Sequence, residues 1–223
     1  MTYDLQPLLL TLRLAVVTTA ILLAIGVPLA YWLAHTRIRI KPVIETLVSM
    51  PLVLPPSVLG FYLLLAFSPQ HAFGQWIEHW LGIRLVFSFP GLVIGSLVFS
   101  LPFMVHPIQA GFEALPRSLI EASRTLGKSD VTTLFRILLP NIKRSLLSGA
   151  VLSFAHTIGE FGVVLMIGGN IQGVTRVASI AIYDEVESLN YAAANFYAAV
   201  LFIVTFVILL TVYLTNKRWA RAA

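Results

Sequence analysis

The chain has 223 residues, of which 58% are hydrophobic and 11% are charged, with a formal net charge of +5 and no cysteine. Soluble domains carry about 25% charged residues, so the composition excludes a water-soluble globular protein. The lack of cysteine excludes disulfides and thiolate metal sites, and no Walker A loop, Rossmann fingerprint, HExxH or GxSxG motif occurs. We therefore expect an all-α, polytopic membrane protein that catalyses nothing and binds no metal or cofactor of its own.

Five apolar stretches are long enough to cross a membrane, because a span needs about 20 apolar residues. They are predicted at roughly 12–34, 43–67, 88–112, 145–168 and 191–215. The segment after the fourth stretch contains Arg176 and several acidic residues, which makes a sixth span unfavourable. We expect a short amphipathic helix on the outer surface there, and one transmembrane domain over residues 1–223.

The basic residues are distributed unevenly between the two ends of these spans. Twelve of the fifteen Lys and Arg residues follow the first, third or fifth span, and Arg13, Arg84 and Arg176 fall on the other side. Cytoplasmic loops carry an excess of Lys and Arg. We therefore predict an N-terminus outside and a C-terminus in the cytoplasm, with a net charge that reflects topology rather than nucleic-acid binding.

The second span is interrupted by three prolines, Pro51, Pro55 and Pro56. Each proline lacks an N–H and clashes with the carbonyl four residues back. Backbone groups left unpaired at membrane depth need protein or water partners, and a broken helix near the midplane is typical of a translocation pathway. We therefore take these prolines and Ser57 as candidate pathway residues, with a kink absorbed by packing as the alternative.

The end of the fourth span contains His156, Thr157 and Glu160. A glutamate within a span usually faces the protein interior or water. His156 and Glu160 are four residues apart, so they share a helical face and are able to pair. Thr157 and Glu160 join the pathway or gate candidates, and the alternative is a structural glutamate bonded to the backbone or an arginine. His106 in the third span is interpreted as a packing or kink residue.

A polar interval, EASRTLGKSDVTTLFRILLP, separates the third span from the fourth. Ser118 is expected to cap a first short helix at about 119–126, and Gly127 suits a left-handed backbone at its end. Ser129 or Asp130 can cap a second short helix. The interval should therefore form two helices that project from the membrane as a compact unit.

The two ends of this interval have further predicted roles. Pro140 follows Leu139 and is expected to redirect the chain into the fourth span. Ala122 and Ser123 are small, and we expect them to let another protein surface approach closely. The alternative is an ordinary amphipathic loop that lies against the lipid headgroups.

The interval resembles the EAA loop of ABC-importer permeases, E-A-A-x3-G-x9-I-x-L-P. Ser123 replaces the second alanine, and the matching residues are Glu121, Ala122, Gly127, Ile137, Leu139 and Pro140. Two further strings, PLVLPPSVLGFYLLL and GEFGVVLMIGGNIQGVTRVASIAIYDEVE, are similar to segments of molybdate-type permeases. The chain is thus identified as a member of the molybdate-type family of ABC importer permeases.

The resemblance implies a type I ABC importer permease fold and a role as the membrane-spanning subunit of an ATP-driven molybdate importer in the inner membrane. It implies a second copy of the chain, two cytoplasmic ATPase subunits that hold ATP and Mg²⁺, an extracytoplasmic oxyanion-binding protein and surrounding lipid. The loop at about 113–144 would couple the pathway to the ATPase. The implied coupling residues are Glu121, Ala122, Ser123, Gly127, Leu139 and Pro140.

Two alternatives stay open at this point. The first is a permease for tungstate, sulfate or thiosulfate, because nothing in the spans separates these oxyanions from molybdate. The second is an ion-coupled secondary transporter, which would need its own coupling-ion sites and usually has repeated halves.

Overall fold

The computed structural model describes residues 4–221, and its described residues form helices and turns without a strand. The helices are α1 (Gln6–His35), α2 (Lys41–Ser49) with a 3₁₀ turn (Met50–Leu52), α3 (Pro56–Phe67), α4 (Ala72–Leu81), α5 (Phe89–Glu113), α6 (Ser118–Thr125), α7 (Asp130–Thr133) with a π turn (Leu134–Leu138), α8 (Leu139–Asn141), α9 (Lys143–Gly159), α10 (Gly162–Gly168), α11 (Ala178–Glu187) and α12 (Tyr191–Arg221). The side chains of Lys217, Arg218 and Arg221, which contribute to the predicted charge asymmetry, lie outside the described part.

Three described helices, α1, α5 and α12, are each long and apolar enough to cross a membrane. Helices α1 and α5 pack closely, because a Cβ at Gly26 of α1 would lie only 2.8 Å from Cγ of Met104 in α5. Helix α12 differs from them, since none of its most apolar window is buried within the chain. Such a surface must be covered by lipid or by another subunit.

The other two apolar stretches each consist of two helices that meet at a sharp bend. The segment 41–52 meets α3 at 110°, and α9 meets α10 at 61°. With each bent pair counted as one span, the described chain has up to five spans. These coincide with the five predicted stretches to within a few residues, so the prediction of a five-span helical bundle is supported.

The pair α2 and α3 follows α5 along its length despite the bend. At one end the Lys41 ammonium lies 3.8 Å from the carboxylate of Glu113. At the other end Phe67 packs against a buried cluster that contains Leu92 and Val93. The chain therefore passes from the last turn of α5 to its first turns, so the bend interrupts a crossing rather than forming a re-entrant loop.

Helix α11 corresponds to the amphipathic helix predicted after the fourth span, and one of its faces packs against α1. Ala178 is fully buried, and its N–H donates to the hydroxyl of Thr11 at 2.8 Å. Arg176 lies 3.2 Å from Asp184 and 3.4 Å from Glu185, so these charges neutralise one another. Other residues of the same helix are exposed, so α11 has one packed face and one open face. Its position on the outer surface of the membrane stays a prediction.

Candidate functional site

The two bends face each other, and glycines make the contact between them possible. A Cβ at Gly162, the first residue of α10, would lie 2.7 Å from Cβ of Pro56, the first residue of α3. One turn further along, a Cβ at Gly60 would lie 2.8 Å from Cβ of Met166. Helices α3 and α10 therefore begin together and run side by side, at a separation that only small residues allow.

Glu160 occupies the bend between α9 and α10 and is 6% exposed. Its carboxylate accepts the N–H of Val163 at 2.8 Å, and its carbonyl accepts the hydroxyl of Ser179 at 2.6 Å. The carboxylate thus satisfies one of the free N–H groups in the first turn of α10, as capping side chains do. These bonds fit the interpretation of a structural glutamate bonded to the backbone, and a role at a gate stays a prediction.

His156 does not pair with Glu160 within the described chain. Its Nδ1 lies 3.0 Å from the hydroxyl of Ser100, and its ring stacks on Phe103 with centroids 4.0 Å apart. The predicted pair requires both residues on one helix, but α9 ends at Gly159 and the chain then bends. The pairing prediction is wrong for this reason.

The pathway candidates in the second span differ in exposure. Pro51 is buried beside the 3₁₀ turn, whereas Pro55, Pro56 and Ser57 are exposed where α3 begins. Pro56 is the first residue of α3, a position at which a missing N–H costs nothing. The prolines therefore start a new helix at the bend, and they leave Ser57 at the surface of a single copy of the chain.

Thr157 lies in a helix interface rather than at an open surface. It is buried, its hydroxyl donates to the carbonyl of Ser153 at 2.9 Å, and it lies 3.1 Å from the hydroxyl of Ser100. Nearby buried hydroxyls without a hydrogen-bond partner among the described residues belong to Thr18, Ser96 and Ser153. The interface of α1, α5 and α9 is therefore more polar than its apolar sequence suggests.

A ladder of polar pairs joins α2 to α5 and was not among the predictions. Its pairs are Lys41 with Glu113 (3.8 Å), Glu45 with Gln109 (2.8 Å) and Ser49 with His106 (3.1 Å). The signal in the sequence is the spacing, because polar residues three or four positions apart share one face of a helix. His106, interpreted as an isolated packing residue, is thus bonded to the helix that precedes the first bend.

The interval between α5 and α9 forms two short helices, as predicted, with one cap assigned wrongly. The Ser129 hydroxyl accepts the N–H of Thr132 at 3.2 Å, and Gly127 has a φ of +69° in the left-handed region. Both features confirm the predicted local structure. Ser118 is not a cap, because α6 already begins at Ser118, and the preceding Arg117 makes no capping bond through its side chain.

Ser123 is buried at 2% exposure and joins the two loop helices. Its hydroxyl lies 2.7 Å from the hydroxyl of Thr133. The expectation that Ser123 offers a small surface to another protein is therefore wrong, because its small size serves the contact between α6 and α7. Glu121 and Ala122, the preceding residues of the motif, are exposed.

The same loop exposes large apolar side chains that were not predicted as functional. Leu126, Val131 and Phe135 are 74%, 66% and 64% exposed. Grouped exposed apolar residues commonly mark a contact surface for another protein or for a membrane. Val131 and Phe135 are four residues apart and therefore share one face of a helix. This spacing was the signal available in the sequence, and the face it marks is not the one that packs on the bundle.

Pro140 does not itself redirect the chain. The helix continues over Leu139–Asn141, and the backbone leaves helical geometry at Ile142, with φ −102° and ψ 20°. The π turn at Leu134–Leu138 precedes the proline. Its wider turn accommodates a ring that would clash with the preceding carbonyl in a regular helix, and the predicted turn is therefore displaced by two residues.

The loop is anchored to the bundle through apolar side chains on its inner side. Leu138 is fully buried in a cluster with Leu33 of α1 and Phe112 of α5. Ile120 and Leu139 pack against the same cluster. Because protein interiors are close-packed, a movement of the loop must also move the ends of α1 and α5.

A family model described as "Binding-protein-dependent transport system inner membrane component" matches residues 26–221. The chain belongs to this family. It is therefore a multi-pass component of an inner-membrane transport system, as its apolar helices indicate.

Two relatives and one solved structure show the range of similarity. The permease is 44% identical to "Molybdenum transport system permease protein ModB" of Azotobacter vinelandii over 216 residues, which are 96% of this chain and 95% of the relative. It is 35% identical to "Probable sulfate transport system permease protein cysT" of Zygnema circumcarinatum, over 95% of this chain and 73% of the relative. It matches a bacterial alginate ABC transporter, crystallised with its periplasmic protein, with a TM-score of 0.78 at 18% identity, over 98% of this chain and 80% of that chain. The predicted type I ABC importer permease fold is confirmed.

Proposed function

We propose that the permease forms the membrane pathway of an ATP-driven, binding-protein-dependent importer of molybdate. The observation that carries this proposal is the 44% identity, over nearly the whole chain, to a molybdenum transport permease. Sulfate or thiosulfate is the second candidate substrate, because a sulfate permease is 35% identical. Tungstate is a further candidate substrate, because it is a close chemical analogue of molybdate.

The position of the basic residues supports an N-terminus outside and a C-terminus in the cytoplasm. Arg37, after α1, shares a cavity with Arg117 and Arg124 of the loop. Arg13 and Arg176 line a separate cavity beside the first turns of α1. The end with the larger basic population faces the cytoplasm under the positive-inside rule.

The proposed assembly has two copies of the permease around one pathway. Two ATPase subunits would bind on the cytoplasmic side and would hold ATP and Mg²⁺, while an extracytoplasmic protein would deliver the oxyanion. Residues 1–223 would form one domain with the coupling loop at about 113–144. The exposed apolar surface of α12 suits contact with lipid.

The loop is proposed to dock on the ATPase through its exposed residues. The proposed contact residues are Glu121, Ala122, Val131 and Phe135. The residues proposed to shape the loop are Ser123, Gly127, Leu139 and Pro140. Docking would transmit movement to the pathway through the buried cluster that joins the loop to α1 and α5.

The pathway is proposed to pass the two bends. The proposed pathway residues are Pro51, Pro55, Pro56, Ser57, Thr157 and Glu160. Ser57 presents a hydroxyl at the exposed start of α3, where helix polarity favours an anion. Glu160 would act by holding the bend, since its carboxylate is engaged by Val163. Thr157 would reach the pathway only when the interface of α5 and α9 changes.

Charge reversal at Glu121 tests the docking surface. Glu121→Lys should reduce co-purification of the ATPase while the permease still inserts, because a partner matched to the exposed carboxylate would meet a like charge. Glu187→Lys makes the same change at an exposed residue of α11, outside the loop, and should leave co-purification unchanged. Normal co-purification of the ATPase with Glu121→Lys would show that Glu121 is not part of the contact.

Transport by reconstituted proteoliposomes tests the function itself. The permease with its ATPase and binding protein should accumulate molybdate only when ATP is supplied, with competition by tungstate and little effect of sulfate. Preferential accumulation of sulfate would overturn the substrate while leaving the importer intact. Uptake by the permease alone, driven by an ion gradient, would instead establish a secondary transporter.

A further inference from the structure

A cavity of about 500 Å³ lies between the end of α1 and the beginning of α6. Its charged lining consists of His35, Arg37, Lys41, Arg117, Glu121 and Arg124. We propose that this cavity binds the phosphate of an anionic phospholipid headgroup. The site is separate from the two bends, and it requires the membrane placement of the chain but not the substrate proposed above.

The four strong cations of the cavity differ in their existing partners. Lys41 and Arg124 already lie 3.5 Å and 3.3 Å from acidic side chains. Arg37 and Arg117 have no ion-pair partner among the residues that the structure describes. Guanidinium groups bind phosphate through paired, planar hydrogen bonds, so two arginines without ion-pair partners in one concave site suit a phosphate group.

The surroundings of the cavity indicate a lipid rather than a soluble anion. Tyr31 lines the cavity, and the next residue, Trp32, is exposed. Tyrosine and tryptophan at the ends of spans mark the membrane interface, which places the cavity at headgroup depth. Ile40, Val43 and Leu47 flank the lining residue Lys41 along the chain and are also exposed. This apolar border suits acyl chains that extend from a bound headgroup.

A headgroup at this position would connect the membrane to the loop. The lining comes both from the end of α1 with the following turn and from α6, so a single phosphate would contact both segments. Basic pockets beside spans on the cytoplasmic side bind anionic headgroups in this way. The bound lipid would therefore steady α6 against α1 and would make coupling sensitive to the anionic lipid content of the membrane.

Native mass spectrometry of the full chain, with any subunits that co-purify, measures this binding directly. In a zwitterionic detergent, phosphatidylglycerol should bind about tenfold or more tightly than phosphatidylcholine with the same acyl chains. The double variant Arg37→Gln/Arg117→Gln should lose most of this preference. Arg39→Gln/Arg136→Gln removes the same charge from exposed arginines that do not line the cavity and should keep the preference.

A charge-conserving variant and a soluble competitor complete the test. Arg37→Lys/Arg117→Lys should retain part of the preference, because the positive charges remain while the paired guanidinium hydrogen bonds are lost. Equal binding of the two lipids to the unaltered chain, or an equal loss in both glutamine pairs, would overturn the site. Displacement of phosphatidylglycerol by millimolar inorganic phosphate would overturn the lipid assignment in favour of a soluble anion.

Discussion

The two broken spans reach related shapes by different physical means. Helices α2 and α3 are separated by prolines, which lack the N–H that would continue a helix, and the segment bends by 110°. Helices α9 and α10 are separated at Glu160, whose side chain and carbonyl both accept hydrogen bonds. The first bend is fixed by covalent structure, whereas the second depends on contacts with other helices. Substitutions should therefore disturb the second bend much more than the first.

The contact between the bends should be the most sensitive position. Gly162→Ala would place a Cβ 2.7 Å from Cβ of Pro56, and we expect a loss of about 3 kcal/mol, at the upper end for overpacking. Gly159→Ala is a matched control, because nothing lies within 4 Å of a Cβ added there. Thermal unfolding of the purified permease should separate the two variants, and equal midpoints would refute the close contact.

Glu160→Leu should have the next largest effect, because it leaves the N–H of Val163 buried without its acceptor. We expect a loss of about 2 kcal/mol, typical of an unsatisfied buried donor. Glu160→Gln keeps an acceptor oxygen and should stay within about 1 kcal/mol of the unaltered protein. If both variants are equally unstable in thermal unfolding, the charge of Glu160 matters more than its hydrogen bond.

The loop between α5 and α9 contains both kinds of constraint. Gly127 fixes a turn through its own backbone, whereas Ser123 and Thr133 join two helices. Ser123→Ala should cost about 1 kcal/mol, the usual net contribution of one hydrogen bond. A double-mutant cycle with Thr133→Val should recover a coupling energy of about 0.5–1 kcal/mol. Additive effects of the two substitutions would show that the short distance between the hydroxyls does not stabilise the loop.

Pro55→Ala should have the smallest effect, since Pro51 and Pro56 still interrupt the helix. A change of about 0.4–1 kcal/mol is expected from the greater freedom of the unfolded chain. The reactivity of Ser57→Cys with small thiol reagents should be the same with and without Pro55→Ala, because Ser57 stays exposed at the start of α3. A loss of reactivity would mean that the first bend also depends on its surroundings.

The parts of the fold that were predicted correctly depend on properties of a few neighbouring residues. Apolar length predicted the five stretches, the missing N–H of Pro55 predicted the first bend, and the φ preference of glycine predicted the turn at Gly127. The local errors lie within one or two residues of the correct position, as with Ser118 and Pro140. At such positions helical and non-helical alternatives are close in energy, and the π turn before Pro140 was sufficient to move the end of the helix.

By itself, the sequence determined the spans, the break at the prolines, the two loop helices and, through its motifs, the family of the chain. Only the tertiary structure decided which polar groups meet. It joins Glu160 to α10 and α11 rather than to His156, turns Ser123 inward, and aligns α2 with α5 through the polar ladder. The physical reason is that proline geometry and helical period act within one turn, whereas a hydrogen bond forms only when helices distant in sequence bring donor and acceptor within about 3 Å.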